Sequence, residues 1–197
     1  MFIISAPSGA GKTTLCKKMM EADGNIRPSV SYTSRLPRTG ETADVDYTFI
    51  GSEEFREMVR ENKFIEWAEV HGNLYGTSRQ RLADIMDAGY DVMLDIDTQG
   101  ADQIRSSFDS GIFIFIMPPS MAVLRERLES RGTNTQEDME RRLKRAGDEM
   151  RDYRKYDYVI VNDVLEESVG KLEAVFTAER LRSRRISPDW LREKYLL

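Results

Sequence analysis

The chain has 197 residues, 40% of them hydrophobic and 32% charged, with a formal net charge of −5 and a single cysteine. That length and apolar content suit one domain with a few insertions, and the acidic balance argues against a general nucleic-acid binder. Cys16 has no partner for an intrachain disulfide, and the first apolar run is cut at once by Ser5, Pro7 and Gly9, so the expectation is a cytoplasmic protein without signal peptide, membrane span or membrane partner, its self-association left open as a possible homo-oligomer.

In chain order, residues 2–4 form a short buried strand, 6–11 a glycine-rich turn, and 13–22 a helix. Further short β-rich runs fall at 90–96, 112–117 and 158–161, each followed by a helical pattern. Strands alternating with helices predict an α/β fold: a mainly parallel sheet covered by helices on both faces. The segment 31–80 breaks that rhythm with turn signals at 37–40 and 72–73, alternating patches at 46–50 and 64–70, and one helix over 53–60; it reads as a small mixed α+β insertion over the edge of the sheet. The arginine-rich segment 125–154 reads as two long helices joined near Arg131-Gly132-Thr133, a natural place for a mobile lid. The core is then 1–30, 81–124 and 155–197, the insertion 31–80 and the lid 125–154, within one domain.

Ala6-Pro7-Ser8-Gly9-Ala10-Gly11-Lys12-Thr13 matches the phosphate-binding P-loop pattern at every defined position except the first, where alanine stands for glycine. The alanine is tolerable if its backbone keeps a negative φ. Glycines let backbone N–H groups converge on phosphate oxygens, the helix adds its positive dipole end, Lys12 reaches the β- and γ-phosphates of ATP, and the Thr13 hydroxyl ligates Mg²⁺, with Thr14 next in line. Asp95 ends an apolar strand, where open α/β sheets bind ligands, and suits a Walker B role on Mg²⁺ through water. Asp97, two residues on, either faces the ligands or caps the helix starting near Thr98. Cys16 is read as a core contact, Trp67 as packing under the insertion, and His71, the sole histidine, as a loop residue. The pairing of Glu137 with Arg141 is expected on a solvated helix face, and the basic patch 180–185 as a solvated helix end or an oligomer contact.

Longer stretches carry a resemblance. Ser31-Tyr32-Thr33-Ser34-Arg35-Leu36-Pro37-Arg38-Thr39-Gly40-Glu41, Asp46-Tyr47-Thr48-Phe49, Phe64-Ile65-Glu66-Trp67-Ala68, Gly72-Asn73-Leu74-Tyr75-Gly76-Thr77, Leu94-Asp95-Ile96-Asp97-Thr98-Gln99-Gly100, Arg127-Leu128-Glu129-Ser130-Arg131-Gly132-Thr133 and Ile160-Val161-Asn162-Asp163 are similar, in order and spacing, to the guanylate kinase family. The resemblance implies transfer of the γ-phosphoryl group of ATP to GMP. It puts Arg35, Arg38, Tyr47 and Tyr75 on the GMP phosphate, which suits guanidinium forks and phenol donors. It makes Glu66 the reader of guanine, whose N1–H and N2 amine are adjacent donors that adenine lacks, with Ser31, Thr77 and Asp97 on the base edge. It assigns Arg127, Arg131 and Arg142 to the lid, Lys12, Arg38, Arg131 and Arg142 to catalysis, and Asn162 to the adenine side of ATP. Two other readings stay open at this point: a non-enzymatic phosphopeptide-binding module on the same scaffold, and a P-loop kinase for another phosphorylated small molecule.

Overall fold

A computed structural model describes residues 1–70, 72–108, 110–130 and 135–195. The elements run β1 (Phe2–Ser5), α1 (Lys12–Ala22), β2 (Ile26–Pro28), β3 (Tyr32–Thr33), β4 (Thr48–Phe49), α2 (Ser52–Arg60), β5 (Phe64–Val70), β6 (Asn73–Ser78), α3 (Arg79–Asp87) and β7 (Asp91–Asp95), then α4 (Thr98–Ser107), β8 (Ile112–Met117), α5 (Met121–Glu129), α6 (Gln136–Arg151), β9 (Tyr158–Val161), α7 (Leu165–Arg180) and α8 (Pro188–Tyr195).

Five strands form a parallel sheet in the order β2-β7-β1-β8-β9. The central strand β1 is buried along its whole length, as a parallel strand covered on both faces must be. Its alternate residues feed two cores. Phe2 and Ile4 pack with Leu15, Cys16 and Met19 of α1 and Leu172 and Phe176 of α7, the Phe2 and Phe176 rings stacking at 3.6 Å. Ile3 packs on the other face with Leu82 of α3 and Ala101 and Ile104 of α4. The α/β architecture and the three later strands agree with the sequence reading. Strand β2 lacked a signal in it: Ile26-Arg27-Pro28 is three residues long and ends in a proline, which an edge position tolerates.

The second sheet is small and mixed, in the order β4-β3-β6-β5, with β3 parallel to β4 and the remaining pairs antiparallel. Its private core is Phe55 of α2 with Phe64 and Leu74. Ile65 of β5 belongs instead to the α3/α4 core, so this sheet is anchored against α4. Trp67 does not pack under it: its side chain faces outward and is 40% exposed, because β5 alternates and the neighbouring Glu66 takes the inner position. In the arginine-rich region α5 spans only nine residues, shorter than expected, and packs Leu124 and Leu128 against Met139, Leu143 and Ala146 of α6.

Patch 180–185 is more than a solvated helix end, because several of its arginines pair with carboxylates of the same chain. Arg180 bonds Asp91 (2.6 Å) and Asp23 (2.6 Å), Arg185 bonds Asp91 (3.1 Å), and Arg182 reaches the buried Glu179 (2.7 Å). The reason is topological: Asp91 starts β7, and the end of α7 returns to that side of the sheet.

Candidate active site

The P-loop connects the carboxyl end of β1 to α1. Gly11 adopts φ +88°, the left-handed region that a side chain disfavours, and a Cβ there would come within 2.5 Å of the Asn162 amide nitrogen. That amide donates to the carbonyl of Ala10 (2.8 Å), and Arg127 braces the same turn through Ala10 (3.4 Å) and the Asn162 carbonyl (3.0 Å). Among described non-glycine residues only Asp44 and Asn62 have positive φ, so Ala6 meets the condition set for replacing glycine.

Lys12 donates to the carbonyl of Ile96 (2.6 Å) and forms an ion pair with Asp95, while the Thr13 hydroxyl donates to the other oxygen of Asp95 (3.0 Å). The strand-end carboxylate thus faces the lysine and threonine expected to handle phosphate and metal. No cluster of three or more metal-ligating side chains occurs among the described residues. A magnesium ion on a nucleotide needs none, since one hydroxyl, one carboxylate acting through water, and phosphate oxygens complete its shell. Thr13 and Asp95 fit that donor set.

Across the cleft, Glu66 is 6% exposed. It accepts a hydrogen bond from the Thr77 hydroxyl on the adjacent strand β6. Burial pushes its carboxyl up to about 7; the Thr77 bond opposes that rise and the charge of Asp97 adds to it. Asp97 lies just past β7 and caps α4, accepting the Gly100 N–H (2.9 Å) with one oxygen. Its other oxygen is buried without a hydrogen-bond partner, 3.7 Å from Arg145.

The proposed phosphate grip is organised around a residue to which the sequence reading gave no role. Glu41 holds Arg35 by a bidentate pair (2.6 and 2.6 Å) and accepts the Arg38 backbone N–H (2.8 Å). The Arg35 bonds, followed by the Arg38 N–H, lower its carboxyl to about 2. Arg35 also lies over the Tyr47 ring (4.9 Å), and Tyr47 meets Tyr75 edge-on (5.9 Å). Burial raises the Tyr47 hydroxyl pKa, keeping it a donor.

A cleft of about 520 Å³ collects much of this set: Ala6, Pro7, Ser8, Gly9, Gly11, Lys12, Thr13 and Thr14 from the P-loop, Asp95 and Asp97 from the sheet end, Glu66 and Tyr75 from the second sheet with Ser31 and Tyr47 just before its strands β3 and β4, and Arg142 from α6. Of the other predicted residues, Thr77 lies beneath Glu66, Arg35 stands behind Tyr47, the Arg38 side chain is exposed, and Ala10, Arg127 and Asn162 back the P-loop rather than line the cleft. Arg131 and His71 lie outside the described residues. The cleft also takes in Arg141, which the sequence reading placed on a solvated helix face, and Arg145 and Glu149, to which it assigned nothing. Arg142, Arg145 and Glu149 follow i, i+3, i+7 and share a helix face, the signal by which they were findable. Arg145 and Glu149 pair at 2.9 Å, and burial raises the Glu149 carboxyl pKa. Arg141 pairs with Asp138 rather than with Glu137; Asp138 is held to the helix start by its own N–H, which donates to Thr135.

A P-loop on a parallel sheet, opposed across one cleft by a small sheet carrying a buried carboxylate and an arginine–tyrosine grip, defines the class: a P-loop nucleoside monophosphate kinase. Comparison with known proteins narrows it. The family model described as guanylate kinase matches residues 1–179, and the chain belongs to the guanylate kinase family. It is 50% identical over 186 residues to a guanylate kinase of Geobacter metallireducens and 48% identical over 186 residues to one of Geobacter sulfurreducens, each alignment covering 94% of this chain and 92% of the relative. The crystal structure of guanylate kinase from Anaplasma phagocytophilum superposes with a TM-score of 0.80 at 36% identity, covering 100% of this chain and 94% of that one.

Proposed function

We propose that the protein transfers the γ-phosphoryl group of ATP to GMP, giving ADP and GDP, with Mg²⁺, in the nucleotide pool of the cytoplasm. The observation that carries the acceptor's identity is Glu66: a buried carboxylate, bonded to Thr77, opening into the cleft that holds Lys12. Guanine presents two adjacent donors to a carboxylate, and adenine does not.

On this reading the core is 1–30, 81–124 and 155–197, the acceptor subdomain 31–80 and the lid 125–154. A phosphate monoester has a second pKa near 6, so the acceptor oxygen is already ionised at neutral pH and needs no general base. The work left is alignment and charge neutralisation. The P-loop amides with Lys12 hold the donor phosphates, backed by Asn162 and Arg127. Arg35, Arg38, Tyr47 and Tyr75 hold the acceptor phosphate in line. Ser31, Glu66, Thr77 and Asp97 fix the base, and Arg142, with Arg131, neutralises charge on the group in transit. Thr13 directly and Asp95 through water would hold magnesium, which would supply charge neutralisation on the donor phosphates.

A coupled ADP-release assay with Mg²⁺-ATP and GMP, AMP, CMP or UMP in parallel tests the reading. Rapid turnover of GMP alone is expected; turnover of none would leave a binding module, and turnover of another monophosphate would reassign the substrate.

A further inference from the structure

Asp97, the N-cap of helix α4, and Gly100 and Gln103 within the helix fall at steps of three and therefore share one side of it. Each meets the guanine side of the cleft differently. Asp97 caps the helix and lines the cleft. Gly100 leaves room for Glu66: a Cβ there would stand 2.7 Å from the Glu66 carboxylate oxygen Oε2, closer than real contacts allow. Gln103, one turn on, lies outside the cleft lining and has no part in the chemistry described so far.

Its amide is nevertheless fully engaged with the second sheet. Gln103 Nε2 donates to the Trp67 carbonyl (2.7 Å), and Gln103 Oε1 accepts the Trp67 N–H (3.1 Å). Strand β5 is the terminal strand of its sheet, so on the side away from β6 its peptide groups have no strand to pair with. A carboxamide is the side-chain equivalent of a peptide group and here takes that place. The residue gripped, Trp67, directly follows Glu66, and the register between Phe64 and Glu66 is broken by a bulge. Glu66 thus sits on an irregular stretch of an edge strand, fixed on one side by Thr77 and on the other through the Trp67 peptide.

We propose that Gln103 is a positioning residue for base recognition: by clamping the Trp67 peptide to α4 it sets the Glu66 carboxylate against the base, and so governs affinity and selectivity for guanine rather than the phosphoryl-transfer step. This rests on the reading of the cleft as a GMP site.

Steady-state kinetics of wild type, Gln103→Ala and Gln103→Glu, with GMP and with inosine monophosphate, which lacks the 2-amino group, test the proposal. Gln103→Glu keeps the helix and an acceptor for the Trp67 N–H but turns an oxygen toward the Trp67 carbonyl. In both variants KM for GMP is expected to rise ~10-fold, as small displacements of a positioned group do. The GMP-over-inosine preference in kcat/KM should fall, with KM for ATP and kcat at saturation within about twofold of wild type. Gly100→Ala, which pushes on the same carboxylate from α4 without touching Gln103, should move the same two quantities. Circular dichroism melts establish that the variants compared are folded. Folded variants with wild-type KM for GMP and wild-type base preference, or a loss confined to kcat, would overturn the proposal. Failure of the wild type to phosphorylate GMP would instead overturn the functional reading beneath it.

Discussion

The donor and acceptor sides of the cleft are built from different material. On the donor side the P-loop is a backbone device: Gly11 holds a left-handed conformation, Asn162 and Arg127 fasten Ala10 from behind, and everything rests on the central strand of a five-stranded sheet. On the acceptor side β3 and β4 are two residues each, and the recognition proposed above falls to side chains that hold one another, Glu41 on Arg35 and Thr77 on Glu66. Backbone amides read phosphate, which every nucleotide carries. Side-chain carboxylates and hydroxyls read a base edge, which differs between nucleotides. The two halves should therefore fail differently when damaged.

The largest effect is expected on the donor side. Lys12→Met removes the cation proposed to meet the β- and γ-phosphates and should lower kcat roughly 10³-fold, while GMP binding measured by titration calorimetry stays near wild type. Equal loss of GMP affinity would mean that the two sides are not separable.

Next comes the acceptor side, where Glu66→Gln should cut kcat/KM for GMP by about 10²-fold, because a carboxamide cannot accept from both guanine donors. With the carboxyl of the free protein at about 7, the ionised form that accepts those donors is depleted below that pH. Wild-type kcat/KM should accordingly rise through pH 7. The acceptor phosphate itself ionises near 6, and the variant isolates that contribution. Stability runs the other way. The folded chain binds a proton at Glu66 that the unfolded chain has already released between pH 4.5 and about 7, so this site's contribution falls across that window as pH rises. A rise from 4.5 to about 7 corresponds to about 3 kcal/mol. Glu66→Gln should melt higher than wild type at pH 8 and gain much less at pH 5; an equal gain at both would remove burial of the charge as the cause.

That difference in material also decides what the sequence made readable. A backbone device must spend glycines at fixed spacing before a lysine, so residues 6–13 were legible from pattern alone, as were the strands on which they rest. The acceptor set was legible only through family resemblance, because isolated arginines such as Arg35 and Arg38 look like any solvated turn. Pairings across distant segments were not legible: nothing near Asn162 in the chain points to Ala10, nothing near Gln103 to Trp67, and nothing near Arg180 to Asp23 and Asp91. Trp67 was misplaced because the bulge beside Glu66 decides which residue of β5 faces inward, and a bulge leaves no periodic trace.

Asn162→Ala tests the backing of the P-loop and should act more gently than Lys12→Met. It leaves the Ala10 carbonyl to the longer Arg127 bond alone, at a cost of about 1–2 kcal/mol in stability. It loosens the loop without removing any charge, so KM for ATP is expected to rise about fivefold with kcat changed less. A wild-type KM for ATP would mean that the loop's glycines hold its shape without help from β9.

The smallest effect on activity should come from the opposite end of the sheet, where Arg180, Arg185, Asp23 and Asp91 form a charge cluster away from the cleft. Arg180 bridges Asp91 at the start of β7 and Asp23 at the end of α1, fastening the end of α7 to two core elements whose other ends carry Asp95 and the P-loop. Arg180→Ala leaves Asp91, only 10% exposed, with Arg185 as its remaining partner, and leaves Asp23 with the Asn25 N–H. Uncovering a carboxylate so little exposed should cost about 1–2 kcal/mol, read as a lower melting temperature. The Asn25 N–H, and after it Arg180, hold the Asp23 carboxyl below its ordinary value, so that part of the penalty should shrink in acid as Asp23 protonates. kcat and both KM values should match wild type, since the register of β7 against β1 is fixed by the ladder along Phe2–Ile4 rather than by this cluster. A change in KM for ATP would show that the charges at the far end help set where β7 ends, and with it the position of Asp95 against Thr13.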